Sequence, residues 1–231
     1  VNNYIMKIMM VDNKEDLATK LETIKEVETI SKAEMKEYSA KIFAYSAQGS
    51  TNQTATLVYI KSPMGSQIGQ KEWFNGSNGG SIEMGKTTLY EGEELEDKKK
   101  ANFPVSQINY LNDASIQVEL LGIANLDDVE CYKVKITEKE NISFEYYNVS
   151  TGLLTRSESY TTDENGEQST ITVAYLNYIE SAGMFLPANT EMNAQGQVLK
   201  FEVVSRKTSK KVKSKTFSGN FKKVEKALNK I

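Results

Sequence analysis

The chain of 231 residues contains no histidine, and this absence removes several classes of enzyme. Without an imidazole there is no Ser-His-Asp or Cys-His nucleophile pair, no histidine general base and no histidine metal ligand. Cysteine occurs once, at Cys131, which excludes an intrachain disulfide and a thiolate cluster for zinc or iron-sulfur. Cys131 lies in the strand-like run DVECYKVKI, where we interpret it as a small half-buried thiol. We therefore expect no enzyme, no catalytic residue, no metal and no cofactor.

Long hydrophobic runs and an excess of either charge are also missing. No apolar stretch reaches the roughly 18 residues that a membrane-spanning helix needs. The opening VNNYIMKIMMV lacks a basic leading segment and a cleavage site, and the first residue is valine. We therefore expect a mature or excised segment from which an export or anchoring signal has been removed. The net charge of −3, from well-mixed acidic and basic residues, indicates no nucleic-acid partner.

Apolar residues of period two fill most of the chain, between Gly-rich and Asn-rich turns, which is typical of consecutive antiparallel strands. This pattern predicts a mainly β (α+β) fold: a large curved antiparallel sheet of about ten strands, with a few short helices covering the concave side. We predict a single domain over 1–231. Its predicted parts are a helical segment at 1–22, first strands at 27–90, a helix at 91–102, an antiparallel meander at 115–206 and a C-terminal helix at 220–231.

The two ends of the chain carry helical spacing. Between residues 3 and 21 the apolar residues recur at three and four, which predicts one broken helix or two short ones, with Asp12 or Asn13 capping the restart. Near the C-terminus one helical stripe is formed by Phe221, Val224, Leu228 and Ile231. We interpret this stripe as the docking face of a helix.

GSIEMGKT, at residues 80–87, matches the phosphate-binding pattern G-x-x-x-x-G-K-[ST]. A phosphate-binding loop needs a buried strand before it and a long helix after it. Here an Asn-Gly turn precedes the motif, SIEM alternates like a strand, and Gly92 interrupts any following helix. We therefore predict strand, turn and strand, and no nucleotide partner.

DENGE, at residues 163–167, is likewise predicted to be a hairpin turn rather than a calcium loop.

Strict alternation selects the residues expected on the concave face of the sheet. Cys131 falls in the polar phase with Lys133 and Lys135, which would place it away from an interior pocket. The candidate ligand-binding residues are Ile116, Val118, Leu120, Tyr132, Val134, Ile136, Phe144, Tyr146, Leu199, Phe201 and Val203.

The order of several motifs resembles a group of bacterial envelope proteins related to the lipoprotein-sorting carrier LolA and its receptor LolB. The motifs are FNGSNGG, EELEDKKKANFP, VELLGIANLDDVECYKVKI, FEYYNVSTGLLTRSES and YLNYIESAGMFLPANTEM. The resemblance covers about residues 2–206. It implies a half-open β-barrel closed by helices, an apolar concave face that receives acyl chains, and a location in the periplasm or cell envelope. The chain also resembles domains that are appended to insulinase-type zinc peptidases of Bacteroidetes-like bacteria. The zinc-binding motif of those peptidases, H-x-x-E-H, is absent from this sequence.

The leading hypothesis is a non-enzymatic, exported module whose concave face binds a lipid, a lipoprotein acyl chain or another hydrophobic ligand. The alternative is a protein-interaction or accessory module of an envelope protein or peptidase, with a filled core and no small-molecule ligand. An enzyme that uses only carboxylates, lysine or tyrosine is the third choice. The sequence pattern of apolar residues is the same whether they line a cavity or fill a core. The sequence therefore does not decide between the ligand-binding module and the protein-interaction module.

Overall fold

A computed structural model describes residues 1–23, 26–35, 39–49, 52–83, 85–99, 105–162, 166, 168–208 and 215–231. The chain forms two compact units. The first unit comprises Val1–Lys20 and Val105–Phe201, and the second comprises Leu21–Pro104 and Glu202–Ile231.

The described residues form five α-helices and thirteen strands. The helices are α1 (Asn2–Met9), α2 (Lys14–Thr23), α3 (Gly92–Lys99), α4 (Asn109–Asn112) and α5 (Lys222–Leu228), and short 3-10 helices occupy Ser106–Ile108 and Thr216–Ser218. The strands are β1 (Glu26–Met35), β2 (Ala40–Gly49), β3 (Gln53–Ser62), β4 (Gly65–Asn75), β5 (Gly79–Glu83), β6 (Lys86–Leu89), β7 (Ile116–Leu126), β8 (Val129–Glu138), β9 (Asn141–Asn148), β10 (Leu154–Thr162), β11 (Gln168–Ser181), β12 (Met184–Ala194) and β13 (Gln197–Thr208).

These strands form one open antiparallel sheet, in the order β6-β5-β4-β3-β2-β1-β13-β12-β11-β10-β9-β8-β7. Every hairpin joins strands that are neighbours in the sheet, and the one long-range pairing brings β13 beside β1. The mainly β antiparallel fold predicted from the sequence is confirmed, with thirteen described strands where about ten were expected. None of the helices in the described residues is long and apolar enough to cross a membrane.

The N-terminal segment forms two helices, as one of the two sequence interpretations proposed. α1 ends at Met9, and the left-handed φ of 56° at Met10 turns the chain out of the helix. Asn13 then caps α2, because its Oδ1 accepts the backbone N–H of Asp16 at 2.9 Å. Four apolar side chains of α1 are buried: Tyr4, Ile5, Ile8 and Met9.

The C-terminal segment packs against the sheet of the second unit. Phe217, Phe221 and Leu228 join a buried cluster with side chains of β2 and β3, and Val224 packs against it. The ammonium of Lys71 lies 2.8 Å from the Glu225 carboxylate. The docking interpretation of the C-terminal stripe is therefore confirmed for Phe221, Val224 and Leu228, while half of the Ile231 side chain is exposed.

The GSIEMGKT motif forms a hairpin, as predicted. β5 pairs with β6 through Gly80–Leu89 to Glu83–Lys86, and Gly85 in the turn has a φ of 81°. Just before the motif, a Cβ at Gly79 would lie 2.2 Å from the Trp73 carbonyl oxygen, so only glycine fits there. The turn predicted at 163–167 lies outside the described residues except for Gly166, as do the last three residues of the helix predicted at 91–102.

Candidate ligand-binding face

Strands β7 to β10 of the first unit have two faces, which the strand pairing defines. Side chains of directly paired residues lie on the same side of an antiparallel sheet. Val134 pairs with Leu120 on one neighbouring strand and with Glu145 on the other, so these three side chains share a face. Tyr147 lies on the same face, two residues after Glu145, and its ring contacts that of Tyr4 in α1, with centroids 5.2 Å apart. We call this side the helix-covered face and the other side the opposite face.

A buried carboxylate lies at the centre of the helix-covered face. Glu145 Oε1 accepts hydrogen bonds from Gln107 Nε2 at 2.6 Å and from Tyr110 Oη at 2.9 Å. Its Oε2 accepts the hydroxyl proton of Tyr147 in a short hydrogen bond. Because three donors meet one carboxylate, the cost of burying its charge is offset by charge-assisted hydrogen bonds. Gln107 and Tyr110 thereby hold residues 105–112 over the sheet.

Further tyrosines extend this polar cluster along β10 and β11. The hydroxyls of Tyr175 and Ser157 are 3.1 Å apart, and the Tyr178 hydroxyl donates to the Leu154 carbonyl oxygen at 2.9 Å. The Tyr178 ring also contacts that of Phe185, at 5.7 Å between centroids. This part of the helix-covered face is therefore filled by the protein's own side chains.

Burial raises the pKa of the clustered tyrosines above the usual value of about 10. For Tyr147 and Tyr110, the neighbouring Glu145 carboxylate raises the pKa further, because it opposes a second negative charge. Burial is also the main reason that the pKa values of Tyr4, Tyr175 and Tyr178 are raised. These phenols therefore stay protonated, and able to donate hydrogen bonds, well above neutral pH.

Beside the filled region, apolar side chains on the helix-covered face remain in contact with solvent. Val118 and Leu120 of β7 are 40% and 62% exposed, Ile123 is 62% exposed, and Tyr132 of β8 is 40% exposed. Val118 pairs with Ile136, Leu120 with Val134 and Ile123 with Tyr132. The four exposed residues therefore share the helix-covered face. We call Val118, Leu120, Ile123 and Tyr132 the apolar strip. It runs along β7, an edge strand.

The residues selected from the sequence divide between the two faces of β7 to β9. Six lie on the helix-covered face: Ile116, Val118, Leu120, Tyr132, Val134 and Ile136. Phe144 and Tyr146 lie on the opposite face, because Tyr146 pairs with Lys133. The Lys133 ammonium stands 4.5 Å from the centroid of the Phe144 ring and 5.5 Å from that of Tyr146. The expectation that these two aromatics share a face with Val134 and Ile136 is therefore wrong.

The three candidates on β13 are partly buried. Leu199 and Phe201 belong to the first unit, and Val203 belongs to the second, where it pairs with Ser31 of β1. Cys131 does lie in the phase of Lys133, on the opposite face, as expected. It is fully buried rather than half-buried, however, with its Sγ 3.4 Å from Thr155 Oγ1. A bulge in β10 places Thr155 beside this thiol.

Alternation alone missed Ile123 and Glu145. The pairing of β7 with β8 shifts between Leu120 and Gly122, so the extra residue Leu121 moves Ile123 onto the helix-covered face. A glycine inside a strand pattern is the sequence signal for such a bulge. For Glu145 there was no signal, because a charged residue in an alternating strand is ordinarily assigned to solvent.

Comparisons with known proteins identify the fold. No protein-family model matches the chain, and no curated protein matches it. Among solved structures, a LolA superfamily protein of Nitrosomonas europaea is 14% identical, with a TM-score of 0.50, over 90% of this chain and 98% of its own. A Vibrio parahaemolyticus domain named for outer membrane lipoprotein sorting is 8% identical, with a TM-score of 0.53, over 89% and 96%. A DUF1329 family protein of Desulfovibrio piger is 14% identical, with a TM-score of 0.51, over 87% and 94%.

The chain therefore has the fold of LolA superfamily proteins, as the order of its motifs indicated. In the part of the chain that the structure describes, no group of three or more Cys, Asp and Glu side chains is placed to hold a metal ion.

Proposed function

We propose that this chain is a non-enzymatic binding module of the cell envelope that takes a lipid, an acyl chain or another hydrophobic ligand along the apolar strip. The observation that carries the proposal is the exposure of the four apolar strip residues beside the buried Val134, Ile136, Glu145 and Tyr147 of the same face. Contact with an acyl chain would remove their surface from water, which stabilises a complex by about 25 cal/mol per Å² of apolar area.

The fold relatives support the same reading. One is named for outer membrane lipoprotein sorting and another is a LolA superfamily protein, so an envelope location and an acylated ligand are consistent with both names. Because one fold can host many functions, the proposal depends on the strip rather than on the fold. The ligand need not occupy the whole face, since the Glu145 cluster already fills its centre.

The test is a titration of the purified protein with N-phenyl-1-naphthylamine, a neutral probe that fluoresces in apolar surroundings. We expect saturable enhancement in the wild type and at least about tenfold weaker binding for Leu120→Gln/Ile123→Gln, because each change removes apolar contact area. Leu89→Gln is the matched control: Leu89 is 61% exposed, but it lies on β6 of the second unit. Equal binding by the wild type and both variants would contradict the strip as the site.

A second candidate function is a protein-interaction or accessory module. It is favoured by β7 itself, an edge strand of 11 residues whose outer backbone edge can accept a strand from a partner. In that case the partner's strand would extend the sheet beside β7, and the strip would contact the partner rather than hold a small hydrophobic ligand. Wild-type protein that gives no enhancement, with its fold verified by circular dichroism, would favour this candidate over a ligand carrier.

A further inference from the structure

Charge is divided between the two faces of β7 to β10. On the helix-covered face the only charged side chains of these four strands are carboxylates, at Glu130, Glu138 and Glu145. All the basic side chains of these strands lie on the opposite face, at Lys133, Lys135 and Arg156. An acyl ligand on the apolar strip would therefore meet one sign of charge from these four strands.

The two exposed carboxylates bracket the strip. Glu130 is two residues before Tyr132 on the same face, and it pairs with Asn125. Glu138 is two residues after Ile136, and it pairs with Ile116. Two residues along a strand span about 7 Å, which is within the Debye length at low ionic strength, so a like-charged head at that distance is repelled. Whichever end of the strip receives the polar head of a ligand, that head lies near a carboxylate.

The side chains of the elements that pack over this face add little positive charge. Residues 105–112, VSQINYLN, carry no charged side chain. The one charged side chain of α1 is that of Lys7, whose Nζ donates to the Thr151 carbonyl oxygen at 2.6 Å, at the β9–β10 hairpin. Lys139 lies in the two-residue turn after β8. Among the described residues of these elements, no arginine is placed on the helix-covered face to clamp a carboxylate or phosphate head.

We infer that the apolar strip takes an amphiphile whose head carries no negative charge, and that Glu130 and Glu138 reject anionic heads. This inference rests on the proposed function, because it presupposes that an acyl chain lies on the strip. It adds a selectivity that apolar contact alone would not give, since apolar contact does not distinguish heads.

The test is displacement of N-phenyl-1-naphthylamine by three ligands with the same twelve-carbon chain, at low ionic strength and below their micelle concentrations. The ligands are 1-monolauroylglycerol, dodecyltrimethylammonium and laurate, whose heads are neutral, cationic and anionic. We expect monolauroylglycerol and dodecyltrimethylammonium to displace the probe, and laurate to bind at least about tenfold more weakly than monolauroylglycerol. This difference in affinity, the gap, should narrow as salt is added.

Two double variants test whether Glu130 and Glu138 cause the weaker binding of laurate. Glu130→Gln/Glu138→Gln should bring laurate to within about threefold of monolauroylglycerol. Glu119→Gln/Glu158→Gln removes the same net charge from the opposite face of the first unit and should preserve the gap. Equal displacement by laurate in the wild type, or an unchanged gap in Glu130→Gln/Glu138→Gln, would overturn the inference but leave the proposed function standing. Failure of the probe to bind would overturn both.

Discussion

Glu145 is the residue that joins residues 105–112 to the sheet of the first unit. It is almost fully buried, and its carboxylate accepts hydrogen bonds from Gln107, Tyr110 and Tyr147. A neutral amide in its place would lose the charge assistance and would turn an N–H group toward one of these donors. We therefore expect Glu145→Gln to lower the free energy of unfolding by about 2 kcal/mol, measured by urea denaturation.

Glu158 provides the control for this substitution. It lies on the opposite face, is only half-buried, and accepts one tyrosine hydrogen bond, from Tyr146 at 2.8 Å. Glu158→Gln should cost about 1 kcal/mol or less, because solvent can replace part of the lost interaction. Equal losses for the two variants would mean that Glu145 is not the central acceptor that the structure describes.

The buried tyrosines give the protein a stability limit at high pH. Their pKa values are raised in the folded state above the value of about 10 expected when the chain is unfolded. The folded state thus binds more protons there, so stability is fully present below pH about 10 and is lost as pH rises above it. We expect the absorbance at 295 nm of the native protein to lag behind that of the urea-unfolded chain through pH 10–11, and then to rise together with unfolding. Coincident titration curves would contradict the buried cluster.

At the scale of the element, α5 anchors the C-terminal segment through one side of its stripe. Phe221 is fully buried, and its ring stands edge-to-face with that of Tyr45, at 6.4 Å between centroids. Phe221→Ala should lower the free energy of unfolding by about 3–5 kcal/mol, because it leaves a cavity in a packed cluster. Ile231→Ala, at the exposed end of the same stripe, should change it by less than about 0.5 kcal/mol. Thermal and urea denaturation of both variants measure the difference, and similar losses would contradict this docking.

Which residues share a face of an element was predictable within a strand but not between strands. Alternation correctly grouped Val134 with Ile136, and Phe144 with Tyr146. The length of the turn between β8 and β9 decides which residues of the two strands share a face. The two-residue turn at Lys139 and Glu140 pairs Glu138 with Asn141. Even-numbered residues of β8 therefore share a face with odd-numbered residues of β9. Counting that turn would have placed Phe144 beside Lys135.

At the scale of the whole molecule, the sequence predicted the fold but not how far the protein's own side chains cover the apolar faces of the sheet. Period-two runs separated by Gly and Asn turns predicted the antiparallel sheet, because these patterns act locally. Filling depends on contacts between distant segments: Gln107 and Tyr110 with Glu145 in the first unit, and the C-terminal segment with β2 and β3 in the second. The apolar surface left exposed on the helix-covered face is therefore narrower than the concave face that the sequence predicted.

Methyl NMR is the most direct test of ligand binding at the apolar strip. A protein with labelled isoleucine, leucine and valine methyl groups would be titrated with 1-monolauroylglycerol below its micelle concentration. We predict saturable shift changes at Val118, Leu120 and Ile123, and none at Leu89, an equally exposed leucine of the second unit. Changes confined to other methyl groups, or none at any concentration, would contradict a ligand-binding face on β7 and β8.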